Sequence, residues 1–224
     1  MGLMCLASVF RQIIPRPEFE YEVCVARETE RRRAELRERL IDIAETQVRA
    51  DGIGALRARS LADQAGCAVG AIYNVFNDMN GLILAVNVRT FVRLGAQVAN
   101  AVKGREDTPP IDRILAMADA YVDFATDERN LWRAVFGIEM TADSDVPDWY
   151  MDELAQLFAL IAKPLSELEP EATHEELELH TRTLFASIHG IMLLSLERRI
   201  SGIPVTELKP MIAYVLRNVT GGTT

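Results

Sequence analysis

Arg57, Arg59, Tyr73 and Asn74 fall within eighteen residues of one another. Together they carry what a nucleic-acid surface needs: guanidiniums for phosphates or base edges, a phenol hydroxyl for a phosphate, and an amide able to read a base. Between them runs Ala68-Val69-Gly70-Ala71. These side chains have no hydrogen-bonding group, but they could touch thymine methyls and let the backbone come close. No comparable set exists for catalysis. A di-iron bundle needs two Glu-x-x-His repeats on facing helices; only Glu171 and His174 have that spacing, and His180 and His189 lack a Glu three residues before them. Cys5, Cys24 and Cys67 are odd in number and widely spaced, with no Cys-x-x-Cys pair to hold zinc. No Ser-His-Asp or Cys-His grouping can be nominated. The expectation is a non-enzyme without cofactor or metal, its thiols free in a reduced cytoplasm.

The elements that must place these side chains are all helical. No window alternates with period two, so no strand or hairpin is expected. Leu36, Leu40, Ile43, Ala44 and Val48 recur at spacings of three and four, the mark of an amphipathic helix. That helix is expected to start after Ala26 and to end at Asp51-Gly52. Pro15 and Pro17 break any helix before it, so residues 1–26 are read as a flexible arm. Two short segments then flank Gly66, the second running from Cys67 to Phe76, and a longer apolar helix begins near Gly81, with Leu82, Ile83, Val86, Val88, Phe91 and Val92 on its greasy face. Downstream, helices are expected from Pro109-Pro110, over Asn130–Met140, from Pro147 to about Leu168 with a kink at Pro164, from Thr173 to Ile200, and over Pro204–Val219. Thr173 with Glu176 reads as a capping box. The sum is an all-α fold of about nine helices: a helix-turn-helix domain over residues 27–80 and a helical body over residues 81–224.

Bulk properties agree. Of the 224 residues, 49% are hydrophobic and 25% charged, a globular composition. No uninterrupted apolar run approaches the roughly 20 residues of a membrane span, and the apolar opening Met1–Phe10 lacks the basic flank of a signal peptide. A cytoplasmic protein with no membrane partner is expected. The net charge of −9 argues against nucleic acid until it is divided. Residues 27–93 hold 11 basic and 9 acidic side chains, whereas residues 94–224 hold 11 basic and 21 acidic. The acidic excess lies outside the segment that would touch DNA.

Two short helices meeting at a turn on Gly66 make a helix-turn-helix. Ala62, Ala65 and Gly70 are small where helices cross, and Leu61, Ile72 and Phe76 would fill the wedge beneath. The stretch resembles the DNA-binding domain of the TetR family of repressors: Leu61-Ala62, Ala65-Gly66, Ile72-Tyr73, Phe76 and Leu82 fall in that family's register, and the resemblance extends over about residues 33–90. Downstream, His189-Gly190-Ile191-Met192 with Leu194 and Glu197 resembles the signature of the WHG-type C-terminal subclass, with Ile188 in place of its Trp. The resemblance also marks departures. A hydroxyl residue usually opens the recognition helix where this chain has Ala68, a phosphate-holding Lys usually stands at Met79, and Thr is common at Arg57.

The helix opened by Ala68 would enter the major groove. Arg57 and Asn74 would read bases, Tyr73 would give its hydroxyl to a phosphate, and Arg59 with some of Arg31 to Arg39 would hold phosphates. Singly, Tyr73 and Phe76 could be core aromatics, and the arginines a solvated face paired with Glu30, Glu35 and Glu38. In the body, Tyr121, Phe124, Trp132, Phe136, Met140, Phe185, His189 and Met192 could line a cavity for an unidentified small-molecule effector, or pack the core. Apolar stripes on the last two long helices suit a homodimer, which would match a palindromic double-stranded DNA operator. What the resemblance implies is a repressor that leaves DNA when the effector binds. A helical carrier of hydrophobic molecules that never binds DNA is the competing reading.

Overall fold

The computed structural model describes residues 17–137 and 146–220, with side chains from Val25 onward. Among these residues there are nine α-helices and no strand. They are α1 (Pro17–Asp51), α2 (Ala58–Ala65), α3 (Val69–Phe76), α4 (Met79–Val102), α5 (Pro110–Asp127), α6 (Arg129–Val135), α7 (Asp148–Leu168), α8 (His174–Leu196) and α9 (Leu208–Val219), with 3-10 turns at Ile53–Ala55 and Val205–Glu207.

The first helix corrects the arm expected over residues 1–26, because residues 17–26 are helical backbone. Pro17 opens the helix instead of breaking it: a proline at the first helical position gives up an N–H that has no intrahelical partner anyway. Two expected helices are shorter. Residue 136 already leaves the helix after α6, which stops at Val135 instead of Met140, and α8 stops at Leu196 instead of Ile200. The helix of α7 runs through Pro164. The capping box is present: Thr173 Oγ1 accepts from Glu176 N, and the Glu176 carboxylate accepts from Thr173 N at 2.9 Å.

Two large apolar cores and a small cluster of Leu84, Phe91, Val135 and Tyr150 share the helices. The first, the head core around the helix-turn-helix, takes Leu40, Ala44 and Val48 from α1, Leu61 and Ala62 from α2, Ile72 and Phe76 from α3, and Leu82 and Val86 from α4. It also takes Leu131 and Ala134 from α6. The second lies between α4, α5, α6, α7, α8 and α9, around Phe124, Trp132, Leu184, Ile188, Met192 and Leu216. Among the described residues α4 is the one helix long and apolar enough to cross a membrane. Its upper half packs the first core, however, and Leu94 and Val98 pack the second. Val92, expected on its apolar face, is exposed.

Salt bridges lock α1 to α4. Arg89 bridges Glu38 at 2.6 Å and Asp42 at 2.5 Å, and Arg93 meets Glu45 at 2.8 Å. Arg49 continues the chain from Glu45 to Glu128, at the start of α6, at 2.9 Å. Exposed pairs are worth little singly, and a network of planar guanidiniums mainly fixes geometry.

Candidate functional site

The helix-turn-helix is built by local chemistry at both of its turns. Gly66 ends α2 in the left-handed conformation (φ 67°, ψ 39°). Gly66 N donates to Asp63 O and Cys67 N to Ala62 O, the paired bonds of a Schellman ending, and a glycine adopts this φ without a Cβ penalty. After α3 the chain reverses over Asn77 (φ 61°), and Asp78 caps α4 by accepting from Gly81 N at 2.8 Å. A Cβ at position 81 would lie 2.3 Å from Phe76 O. Gly81→Ala is therefore expected to push α3 away from α4 and to cost about 1–3 kcal/mol, seen as a lower denaturation midpoint together with weaker DNA binding.

Leu61 and Ile72 are wholly buried beneath this turn, and Phe76 nearly so. The opposite face of α3 is open: Ala68, Val69, Gly70, Tyr73 and Asn74 are exposed and Ala71 is half-buried. Ala68 is the N-cap and makes no side-chain cap bond, as its missing hydroxyl dictates. Met79 is half-buried against the head core, so the position that would carry a phosphate-holding Lys packs instead.

The arginines divide by what holds them. Arg33 donates to Asn74 O at the end of α3 and Arg39 to Ala65 O at the end of α2, positions where a cation complements helix dipoles. Arg37 stands over the Phe76 ring, 5.3 Å from its centre. Arg31 and Arg32 pair with Glu28. The five are thus engaged with their own protein. Arg57 also folds back, donating to Gly54 O and Leu56 O at 2.7 and 2.8 Å. Arg59, exposed at the start of α2, has no hydrogen bond or ion pair among the described residues.

In the body, a cavity of about 220 Å³ lies between α4, α5, α6, α7, α8 and α9. Tyr121, Phe124, Trp132, Phe136 and Phe185 line it, together with Phe91 and Thr90 from α4 and Phe158 from α7. His189 and Met192 share the α8 face with Phe185, but neither lines the cavity: Met192 is wholly buried in the core, and His189 lies behind Tyr121 and Phe136. Met140 lies outside the described residues. The α4 and α7 contributions could not be foreseen, because which residues of an all-round apolar helix face a cavity depends on its rotation in the bundle.

Behind the wall runs a polar relay. Trp132 Nε1 donates to the Tyr121 hydroxyl at 3.0 Å, and that hydroxyl is 2.8 Å from His189 Nδ1. An indole is donor only. With no other acceptor recorded for it, the Tyr121 proton goes to His189 Nδ1. Burial pushes the phenol well above the usual tyrosine range, which keeps that proton in place, and pulls His189 down to about 4. Unfolding restores an ordinary imidazole near 6.5, so the unfolded chain takes up the proton first. The stability tied to a neutral His189 is complete above pH 6.5 and is lost as pH falls toward 4. Melting temperatures over that range should fall less steeply for His189→Asn than for the parent; equal slopes would refute the effect.

The surroundings link cavity and head. On α6, Leu131 and Ala134 enter the head core while Trp132 and Val135, with Phe136 just after the helix, line the cavity. Asn130 Nδ2 donates to Arg49 O and Ala50 O at the end of α1, and Asn87 Nδ2 on α4 donates to Ala134 O at 3.1 Å. Among the described residues no cluster of three His, Cys, Asp or Glu could hold a metal.

Residues 114–219 match a family model described as a tetracyclin repressor-like C-terminal domain; that description does not carry the WHG name. No curated protein matches the sequence. Among solved structures, the chain is similar to a protein of unknown function from Rhodococcus sp. RHA1, at 25% identity and TM-score 0.66, covering 82% of this chain and 94% of that one. It is similar to RolR in complex with resorcinol at 20% identity and TM-score 0.64, covering 86% and 90%. It is also similar to Thermus thermophilus FadR, a TetR-family transcriptional repressor in complex with lauroyl-CoA, at 19% identity and TM-score 0.60, covering 80% and 92%.

Proposed function

We propose that the chain is a TetR-family transcriptional regulator, a homodimeric repressor that binds a palindromic operator and releases it when a small molecule fills the cavity; the match of residues 114–219 to a tetracyclin repressor-like C-terminal domain supports this reading. The observation that carries this reading is the bare outer face of α3. Among the described residues nothing covers Ala68, Val69, Gly70, Tyr73 and Asn74, and a helix face left open at the edge of a helix-turn-helix is shaped for the major groove. Tyr73 and Arg59 hold phosphates in this account, Asn74 reads a base, and Arg57 reads a second once it leaves the Gly54 and Leu56 carbonyls.

Dimerisation would use α8 and α9. Leu179, Leu193 and Leu194 on α8 and Met211 and Tyr214 on α9 are exposed. Thr183, Ala186 and Gly190 fall between the leucines at spacings of three and four, and a side chain at Gly190 would meet nothing within 4 Å. Such a stripe lets a two-fold mate approach closely. The effector acts through α6 and α4, which belong to cavity and head at once. It can favour the DNA-incompetent arrangement only by as much as it binds that arrangement better, each tenfold preference being worth about 1.4 kcal/mol.

Gel-shift titration with DNA flanking the chain's own gene tests the reading. A discrete shift with an affinity of about 10⁻⁸ M or tighter is expected. No shift would leave a helical ligand carrier as the better reading. Arg59→Ala should weaken all sites alike and reduce the salt slope by about 1; Arg57→Ala should change base preference, and an unchanged preference would reject its reading role.

A further inference from the structure

The walls of the cavity restrict what it can hold. Six of its side chains are the rings of Phe91, Phe124, Trp132, Phe136, Phe158 and Phe185, and the remainder is aliphatic apart from Tyr121 and Thr90. Among the described residues no charged side chain reaches the lining. The few polar hydrogens there are already spent: Thr90 Oγ1 donates to Val86 O at 3.0 Å, Trp132 Nε1 donates to Tyr121, and Tyr121 donates to His189. An anion entering this space would find no donor to replace its water, and a cation would find ring faces but no carboxylate. Burying either charge without a partner is costly. What the walls retain is one acceptor position on the Thr90 oxygen, suited to a single hydroxyl.

Size follows from volume. An apolar cavity of about 150 Å³ holds benzene, and this one is about 220 Å³. Scaling six carbons by that ratio gives roughly nine non-hydrogen atoms. We infer that the cavity takes an uncharged, mainly aromatic molecule of about that size, carrying at most one hydroxyl. This rests on the reading of the cavity as the effector site.

Calorimetric titration of the full chain with three probes that share one naphthalene ring system tests it: 2-naphthol, 2-naphthoate and 2-naphthylmethylammonium, at pH 7. The expected result is binding of 2-naphthol, with both charged probes weaker by roughly 30-fold or more. A smaller ratio for either charged probe overturns the inference, as does silence of 2-naphthol up to about 1 mM. Ala118→Phe, which grows a ring into the cavity from α5, should abolish 2-naphthol binding; Leu157→Trp should do so from α7, in case the first variant does not fold. Unchanged binding in a folded variant also overturns it. A gel shift run with the same probes separates the two layers. Release of DNA by 2-naphthoate with 2-naphthol inert would reject the ligand class and keep the regulator. Binding of 2-naphthol with no effect on DNA would keep the ligand class and reject the regulator.

Discussion

Gly70→Glu should reduce operator binding to the non-specific level, a loss of about 10³-fold or more, while leaving the fold at least as stable as before. Position 70 is in the first turn of α3, exposed, with nothing within 4 Å of where a Cβ would stand. A glutamate there meets no steric obstacle. It also gains helix propensity over glycine of up to about 1 kcal/mol, and its charge lies near the positive end of the helix dipole. On DNA the same carboxylate would face the groove and the phosphates, where no compensating cation stands. Gly70→Ala is the control, expected to stabilise by about 0.5–1 kcal/mol without adding charge. Fluorescence anisotropy with operator DNA and a thermal melt of each variant check both halves. Retained DNA affinity in Gly70→Glu would remove α3 from the interface.

Leu131→Ala should lower stability by about 2–5 kcal/mol, a large loss for one residue of a seven-residue helix. Leu131 is wholly buried, and although α6 belongs to the body, its side chain completes the head core beside Val48, Leu61 and Val86. Truncation leaves a void that α1 and α4, tied by Arg89 and Arg93, cannot easily close. Trp132 faces the other way, into the cavity, so effector affinity should change little while effector-driven DNA release weakens. Urea unfolding gives the first quantity and paired effector and DNA titrations the second. A stability loss below about 1 kcal/mol would mean that α6 is not part of the head core.

How far the sequence discloses all this depends on how local the cause is. The helix-turn-helix is legible because its causes sit within a few residues: a glycine where the φ must be positive, small residues at the crossing, and Leu61, Ile72 and Phe76 at wedge spacing. Thr173 and Glu176 announce their helix start for the same reason. A charged face around Arg31 and Arg32 is legible, and Glu35 and Glu38 do pair with Arg31 and Arg37, but Glu28, the partner that Arg31 and Arg32 share, is not among the expected Glu30, Glu35 and Glu38. Arg33 and Arg39 do not show their pairing in the sequence, because their partners, the carbonyls of Asn74 and Ala65, come from other helices 41 and 26 residues away. The cavity is legible in part. Tyr121, Phe124, Trp132, Phe136 and Phe185 announce themselves as aromatics on apolar helices, while Thr90, Phe91 and Phe158 depend on how α4 and α7 are rotated. His189 and Met192 show the opposite error, since a shared helix face does not decide which side chain reaches the void and which packs behind it.

The distance between the two recognition helices of a dimer tests the central claim most directly. Cys67 precedes the N-cap of α3 and is half-buried, so a spin label there, with Cys5 and Cys24 replaced by Ser, reports on the head. Double electron–electron resonance on the full chain with operator DNA should give a narrow distance near one helical turn of DNA, about 34–36 Å, which broadens or shifts when effector displaces the DNA. No dipolar coupling between labels, or a distance that two adjacent major grooves cannot match and that DNA does not alter, would contradict the account.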